Sequence, residues 1–518
     1  MNTPARPTAK AWTFVLIGLI VVVLGVRLSF VGRGAMAFPD EERYYQALEA
    51  IKSFTAGHVK AGFAHLVHTQ GRPGEALLRM LPAAAQGIWY TLGGPSSHAP
   101  VSLLLPVLFT YGISVVALLL YYRLARMLSA DKLGALLTTL VYACLVNSNL
   151  YIRHVLPYDL ALCSFFALLV WLLREEHAHS LPTWKAYLLG AGATFTFTIY
   201  PGYFFVPVVV MVVLLSSLAT NLRSRVYKLV AFGAGALSVL GSFEMLGQLT
   251  HYSYFQSCLH LSGSIIQGDF QESFSFAFKY LAEVEGWLGY LLLMLAGMRV
   301  LGHVYQARRS NNGKLKADGP RTYALYLGML GSFLAYAALG YWGHKLVFYG
   351  RILHLFLPFL VLFGVGASWQ MVGPRARLPF AVLLMVVALS SFGRFAVRYR
   401  AVQYPIDLLL QPAAGLARQK TVFISQSETS DNDNYVLAQQ HLASQQTAGG
   451  EAILVNFSFL YPIAGPGCND IPLPAGYQEV LAVPHFLTFP AYNFEGFAPH
   501  ERAMLRRCQY QCKVYVRP

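Results

Sequence analysis

Apolar residues in this chain fall in long unbroken runs, not in the alternations or 3.6-residue stripes of a soluble fold. The first, "WTFVLIGLIVVVLGV", belongs to a segment from Trp12 to about Phe30. Further runs follow near 100–122, 133–151, 155–173, 185–200, 203–220, 228–248, 286–302, 322–341, 352–370 and 378–396. Runs of roughly 17 to 25 residues cross a hydrocarbon core of about 30 Å as helices that satisfy their own backbone. The pattern predicts a mostly α polytopic membrane protein with about 11 transmembrane helices. Almost no loop separates 133–151 from 155–173, and Pro-Gly in "TIYPGYFF" (Thr198 to Phe205) predicts a tight hairpin.

Two stretches depart from this pattern. Residues 32–95 are too polar to cross and too long for a turn. Within them, "PDEERYYQALEAIKSF" has Pro39, then acids suited to a helix start, then Tyr44, Leu48 and Ile51 at helical spacing. "PGEALLRMLPAAAQGIWYTLGG" is a second amphipathic piece that stops at a Gly pair, as a surface-lying helix would. Beyond residue 398 the chain reads strand, helix, strand: "TVFIS" and "EAILVNFSF" flank "SDNDNYVLAQQHLAS", and "EVLAV", "APHERAMLRR" and "CKVYV" repeat the order. The expected organisation is a transmembrane domain over 1–398, with its first outer loop at 32–95, and a small soluble α/β domain over 399–518.

Composition agrees with membrane residence: of 518 residues, 56% are hydrophobic and 12% charged. The net charge of +15 resides in short loops, where it sets topology. Arg6 and Lys10 precede the first run, and Arg123, Arg126 and Lys132, then Arg174 and Lys185, then Arg223 to Lys228, Arg308 to Lys316 and Arg375 with Arg377 fall on the same side. The N-terminus is expected in the cytoplasm and residues 32–95 outside. Arg394, Arg398 and Arg400 fall on the outer side against this rule, which long translocated domains tolerate. A basic start followed by "AMA" (Ala35 to Ala37) also fits a cleavable signal peptide, but Arg27 and Arg33 intervene and favour retention. The absence of a basic stripe interleaved with aromatics argues against nucleic acid as a partner. Six cysteines are too few for a disulfide scaffold; Cys144 and Cys163 lie in apolar runs, whereas Cys468, Cys508 and Cys512 are placed to pair if the C-terminal part meets an oxidising compartment. His65 with His68 forms a loop pair rather than a zinc site. The terminal "YVRP" lacks a retention signal, which together with a small outer domain points to a bacterial inner membrane.

Three groups carry candidate chemistry. Asp40, Glu41 and Glu42 follow the first run; a helix dipole explains one or two acids there, and a third adds repulsion, which points to function. Arg153, His154 and Asp159 in "LYIRHVLPYDLAL" sit at the turn between two runs, where Arg153 and Asp159 either pair to fix the hairpin or serve a site. Arg72, Lys345 and Arg351 share a face; each alone reads as an interfacial snorkeler, and together they suit a phosphate.

These residues carry a family resemblance. "PDEERYYQALEA" resembles the Asp-Glu signature of the GT-C fold glycosyltransferases, in particular the protein O-mannosyltransferase and lipid A aminoarabinose transferase group. "RHVLPYDLAL" is similar to that group's Arg-to-Pro-Asp segment, and "GRILHLFLPFLVLFG" to its late Arg-Tyr-Leu-Leu-Pro segment, with Ile352 where the family has Tyr. "GRPGEALLRM" stands where Lys-Pro-Pro-Leu is usual, so Arg72-Pro73 is a departure, as is Tyr158 between Pro157 and Asp159. The resemblance spans about residues 1–370; the C-terminal domain has none. It implies an inverting transfer of sugar from a polyprenyl-phosphate donor to a hydroxyl of a glycan, lipid or protein acceptor at the outer face of the bilayer. Under it, Asp40 is the catalytic base and Glu41 orients Asp40 or binds acceptor hydroxyls. Arg43, Tyr44 and Arg153 contact substrate; Arg72, Lys345 and Arg351 neutralise the phosphate; Asp159 holds a sugar or a neighbouring cation. The closest members need no cofactor; the alternative is a Mg or Mn ion on Asp40 and Glu42, as in related oligosaccharide-transferring enzymes. A transporter or flippase of a lipid-linked saccharide is the rival reading, with the same polar residues lining a pathway.

Overall fold

A computed structural model describes residues 9–32, 41, 43–95, 101–129, 131–174, 181–216, 222–266, 273–309, 320–343 and 350–401, and in the C-terminal part 421–425, 451–456, 476, 478–484 and 511–517. The first apolar run is α1 (Ala9–Leu28). The polar stretch after it folds as α2 (Arg43–Thr55), α3 (Val59–Val67) and α4 (Pro73–Thr91), an amphipathic layer. There follow α5 (Leu104–Ser129), α6 (Lys132–Cys144), the short α7 (Val146–Leu150), α8 (Tyr158–Arg174), α9 (Thr183–Ile199), α10 (Val206–Ser216) and α11 (Leu222–Leu249). The series closes with α12 (Tyr254–Ile266), α13 (Ser273–Tyr280), α14 (Trp287–Arg309), α15 (Pro320–Gly343), α16 (Gly350–Val361), α17 (Ala367–Met371) and α18 (Arg377–Ala401).

Every apolar run coincides with a helix, but among the described residues only six helices are long and apolar enough to cross a bilayer: Lys10–Leu28, Leu104–Leu128, Leu222–Leu249, Arg321–Gly343, Gly350–Met371 and Arg377–Arg400. Shorter apolar helices occupy Lys132–Cys144, Pro201–Ser216 and Trp287–Gly302. The chain is thus an integral membrane protein of helical type; against the expected about 11 transmembrane helices, six described helices meet the length and apolarity for crossing and three shorter apolar ones accompany them. The clearest departure is 133–151, where α6 stops at Cys144 because Leu145 is extended (φ −59°, ψ 137°).

Burial separates the helices into two kinds. In Gly350–Met371, 89% of the hydrophobic window is buried, against 17% in Lys10–Leu28 and Leu222–Leu249, so the former is a central post and the latter are outer staves. Phe14, Val21 and Val22 on α1, and Leu237 and Met245 on α11, are exposed and suit contact with lipid tails. The inner face of α1 (Leu16, Ile20, Val23) joins the main core with α6, α8 and α16. α9 and α11 pack backbone to backbone: a Cβ on Gly190 would lie 2.0 Å from the Phe232 carbonyl oxygen, and one on Gly235 would lie 2.0 Å from that of Tyr187.

Two π-helical segments, Leu281–Glu285 before α14 and Leu362–Gly366 between α16 and α17, break the regular ladder. The first delivers Glu285 to the buried corner at α7.

The C-terminal strands are β1 (Thr421–Ser425), β2 (Glu451–Asn456), β3 (Gln478–Pro484) and β4 (Gln511–Arg517), in the order β1-β2-β4-β3. β1 runs parallel to β2, while β4 is antiparallel to β2 and β3. A parallel pair requires a crossover of a dozen residues or more, which the 426–450 connection has length to supply. The helical segments expected between these strands, and Cys468 and Cys508, lie outside the described residues.

Candidate functional site

From Gly134 to Leu162 every residue is buried, including the irregular connection between α7 and α8. Irregular backbone at such depth needs partners for its N–H and C=O groups, and side chains from distant segments supply them. The Glu285 carboxylate accepts from the backbone N–H groups of Val146 and Asn147, both at 2.8 Å, and so closes the start of α7. Burial pushes the Glu285 carboxyl up to about 7, against the lowering effect of these two bonds. At the far end, Glu41 accepts from the Val155 N–H at 2.7 Å and meets His154 Nδ1 at 2.9 Å. Arg27 donates to the Ala143 carbonyl at 2.6 Å and to Ser148 Oγ at 3.0 Å. Arg153 donates to the Tyr399 carbonyl and lies 3.9 Å over the Tyr399 ring and 5.5 Å over Phe30, while the Tyr399 hydroxyl donates to the Leu150 carbonyl.

Within this frame Asn147 is a hub. Its Nδ2 donates to the Tyr280 hydroxyl at 2.7 Å and to the Gly350 carbonyl at 2.8 Å. Its Oδ1 meets His354 Nδ1 at 2.9 Å, and His354 Nε2 meets Asp159 Oδ1 at 3.1 Å. The chain of contacts ties the first turn of α8 to the post formed by α16.

Beside it lies an aromatic cluster. Tyr158 packs against Tyr151 (ring centroids 4.8 Å apart) and Tyr200 (4.9 Å), and Tyr200 packs against Tyr203 (5.0 Å). Two guanidinium groups converge on it: Arg351 donates to the Tyr158 hydroxyl at 3.3 Å, and Arg72 lies 5.2 Å over the Tyr200 ring. Arg351 is fixed further by its carbonyl, which accepts from the Tyr203 hydroxyl at 3.4 Å. Arg72 is placed by the tight approach of α4 to α9, since a Cβ on Gly74 would lie 2.4 Å from Thr198 Oγ1. Gly71 precedes it at φ +82°, a left-handed conformation that glycine adopts without strain. Glu75 sits between Arg72, at 3.9 Å, and Arg79, at 2.9 Å.

The sequence candidates therefore divide. Arg72, Asp159 and Arg351 gather at the tyrosine cluster. Glu41 and Arg153 hold the buried connection. Arg43 donates to Gln70 Oε1 at 2.9 Å, near the loop that carries Arg72. Tyr44 is buried, donates to Gln86 Oε1 at 2.6 Å, and has its hydroxyl pKa raised by burial. His68 stacks on Tyr252 and contacts Thr250 Oγ1 at 3.2 Å, and burial, then His65, lowers its pKa. Asp40, Glu42 and Lys345, and with them the Asp40 and Glu42 metal pair, lie outside the described residues.

Asn147, His354, Glu285, Tyr200 and Tyr203 belong to the site and were not singled out from the sequence. A signal existed for two of them: Asn147 and His354 are polar residues inside apolar runs, which a membrane helix keeps only at a cost.

In chemical terms, one guanidinium over the Tyr200 ring and one donating to the Tyr158 hydroxyl bring positive charge to the tyrosine cluster. Comparison with protein-family descriptions and with curated proteins finds no match for the chain.

Proposed function

We propose that this protein is an inverting glycosyltransferase that moves a sugar from a polyprenyl-phosphate donor to an acceptor hydroxyl at the outer face of a bacterial inner membrane. The observation that carries the reading is the meeting of Arg72 and Arg351, far apart in sequence, around Tyr158 and Tyr200 at one end of a membrane helix bundle. A donor with a lipid tail and an anionic head needs lipid on one side and cations on the other, and the two guanidinium groups are the cations assigned to that head. Residues 399–518 complete the proposed architecture as a small α/β domain on the outer side.

In the proposed step the acceptor oxygen bonds to the anomeric carbon from the face opposite the phosphate, and the bond between that carbon and the phosphate oxygen breaks. The hydroxyl proton passes to the Asp40 carboxylate, and the lipid phosphate leaves as an anion, so it needs cations rather than an acid. Arg72 and Arg351, with Lys345, are assigned to that anion. Glu41, bonded to Val155 and His154, is assigned to anchoring the segment next to Asp40.

The test supplies labelled polyprenyl-phosphate sugar and envelope acceptors to the full-length protein in nanodiscs. Covalent transfer that is abolished in Asp40→Asn, with the fold retained, is the expected result; full turnover by that variant removes the base assignment. Label that crosses vesicles without chemistry would identify a carrier instead. Loss of activity with chelator, restored by Mg or Mn, would place a metal at Asp40 and Glu42.

A further inference from the structure

The contacts of His354 fix its proton count. The Gly350 carbonyl can only accept, so the NH2 side of the Asn147 amide must face it, at 2.8 Å. Asn147 therefore turns its oxygen to His354 Nδ1, at 2.9 Å, and that nitrogen must carry a hydrogen. The other ring nitrogen, Nε2, faces an Asp159 oxygen at 3.1 Å, which accepts when the carboxyl is ionised. A neutral imidazole has one N–H and cannot serve both oxygens. The pair thus holds one more proton than a neutral histidine beside a carboxylate.

The surroundings decide where that proton resides. Asp159 lies within electrostatic range of the positive charge of Arg27 on α1, of the phenols of Tyr142 and Tyr203 and of the thiol of Cys163. Tyr158, next to it in the chain, accepts from Arg351. Glu285 and Tyr280 reach His354 only through Asn147, and Tyr151 meets it edge-on at 5.8 Å. The positive charge of Arg27 favours the ionised carboxylate.

We infer that His354 is held as an imidazolium that cancels the charge of Asp159, and that this couple sets the electrostatics of the adjoining Arg351 site. The second half rests on the reading of that site as a phosphate site. His354 is a positioning residue: its bonds tie α16 to α8 one turn from the Arg351–Tyr158 contact. With its charge in place, Asp159 does not repel an incoming anion.

Two measurements on the full-length protein in nanodiscs test this. With ring-15N histidine, NMR at pH 7 is expected to show both His354 nitrogens protonated, and one of them deprotonated in Asp159→Asn. The resonance is identified by its absence from the H354Q/D159N double variant, which buries no charge at the pair and so folds even if H354Q does not. A singly protonated wild-type ring overturns the inference. In the second measurement, binding of a polyprenyl monophosphate is expected to weaken about tenfold in H354Q, which removes the positive charge in direct contact with Asp159, and to recover in the double variant. Equal losses in the single and double variants indicate a purely structural role and overturn the charge-setting half. A wild-type protein that fails to bind the lipid phosphate defeats the proposed function, and the NMR result still decides the protonation state.

Discussion

At the residue scale, the buried corner stands on very few side chains. Asn147 makes three side-chain contacts, and Asn147→Leu would strand the Gly350 carbonyl, the Tyr280 hydroxyl and a ring nitrogen of His354. Each stranded group costs about 1 to 3 kcal/mol, so the apparent melting temperature in nanodiscs should fall by many degrees, whereas Asn149→Ala, which loses only local bonds, should cost less. Glu285 adds a pH signature. Its carboxyl, raised by burial from 4.5 to about 7, holds its proton more tightly in the folded state. Its contribution to stability is therefore complete below about pH 4.5, is lost as pH rises to about 7, and stays flat above, by roughly 3 kcal/mol at most. Melting curves between pH 4.5 and 8 should slope downward in the wild type and lose that slope in Glu285→Gln; parallel curves would show that Glu285 does not titrate there. Arg351 offers the third case. Arg351→Lys keeps the charge but not the planar fork that reaches Tyr158. Under the proposed function it should transfer sugar at least about tenfold more slowly than wild type.

At the element scale, close contact matters more than hydrophobicity. α9 and α11 meet at Gly190 and Gly235, where even a methyl group collides with the opposing backbone, and backbone cannot yield as a flexible side chain can. Gly235→Ala should lower the yield of folded protein and its thermal stability, while Gly233→Ala, two residues earlier on the opposite side of α11 with open space at its Cβ, should leave both unchanged. This geometry also shows why the sequence was only partly readable. The helices themselves were legible, since an apolar run in a membrane protein has few alternatives to a helix. Their roles were not, because a run that is apolar all round looks the same as a central post (α16) and as a lipid-facing stave (α1). The break after Cys144 was hidden for a related reason: "CLVNSNLY" is apolar enough to read as a continuation of the 133–151 run, yet the backbone N–H groups of Val146 and Asn147 are satisfied by Glu285 from elsewhere in the chain. Arg72, Asp159 and Arg351 stood out as charges at run boundaries, whereas Tyr200 and Tyr203 looked like ordinary hairpin aromatics in a chain with 31 tyrosines.

At the scale of the whole molecule, the proposed chemistry requires one orientation. Lipid-linked donors present their sugar at a defined face, so α2, α3, α4 and the tyrosine cluster must lie on the side opposite the basic loop that joins α17 to α18. His58, exposed between α2 and α3, and Arg375, exposed in that basic loop, are suitable reporters, since each is accessible and neither touches the site. Among the described residues Cys144, Cys163 and Cys258 are free thiols; the first is buried and the others half-buried, so the labelling background is set by an unsubstituted control. In intact cells a membrane-impermeant maleimide should label His58→Cys at once and Arg375→Cys only after permeabilisation. The reverse pattern would put Arg72 and Arg351 on the cytoplasmic side, where the positive-inside rule would claim them as topology signals. In that case the two guanidinium groups at Tyr158 and Tyr200 would need a cytoplasmic anion as their ligand, and the assignment of an outward-facing lipid phosphate would fall with the orientation.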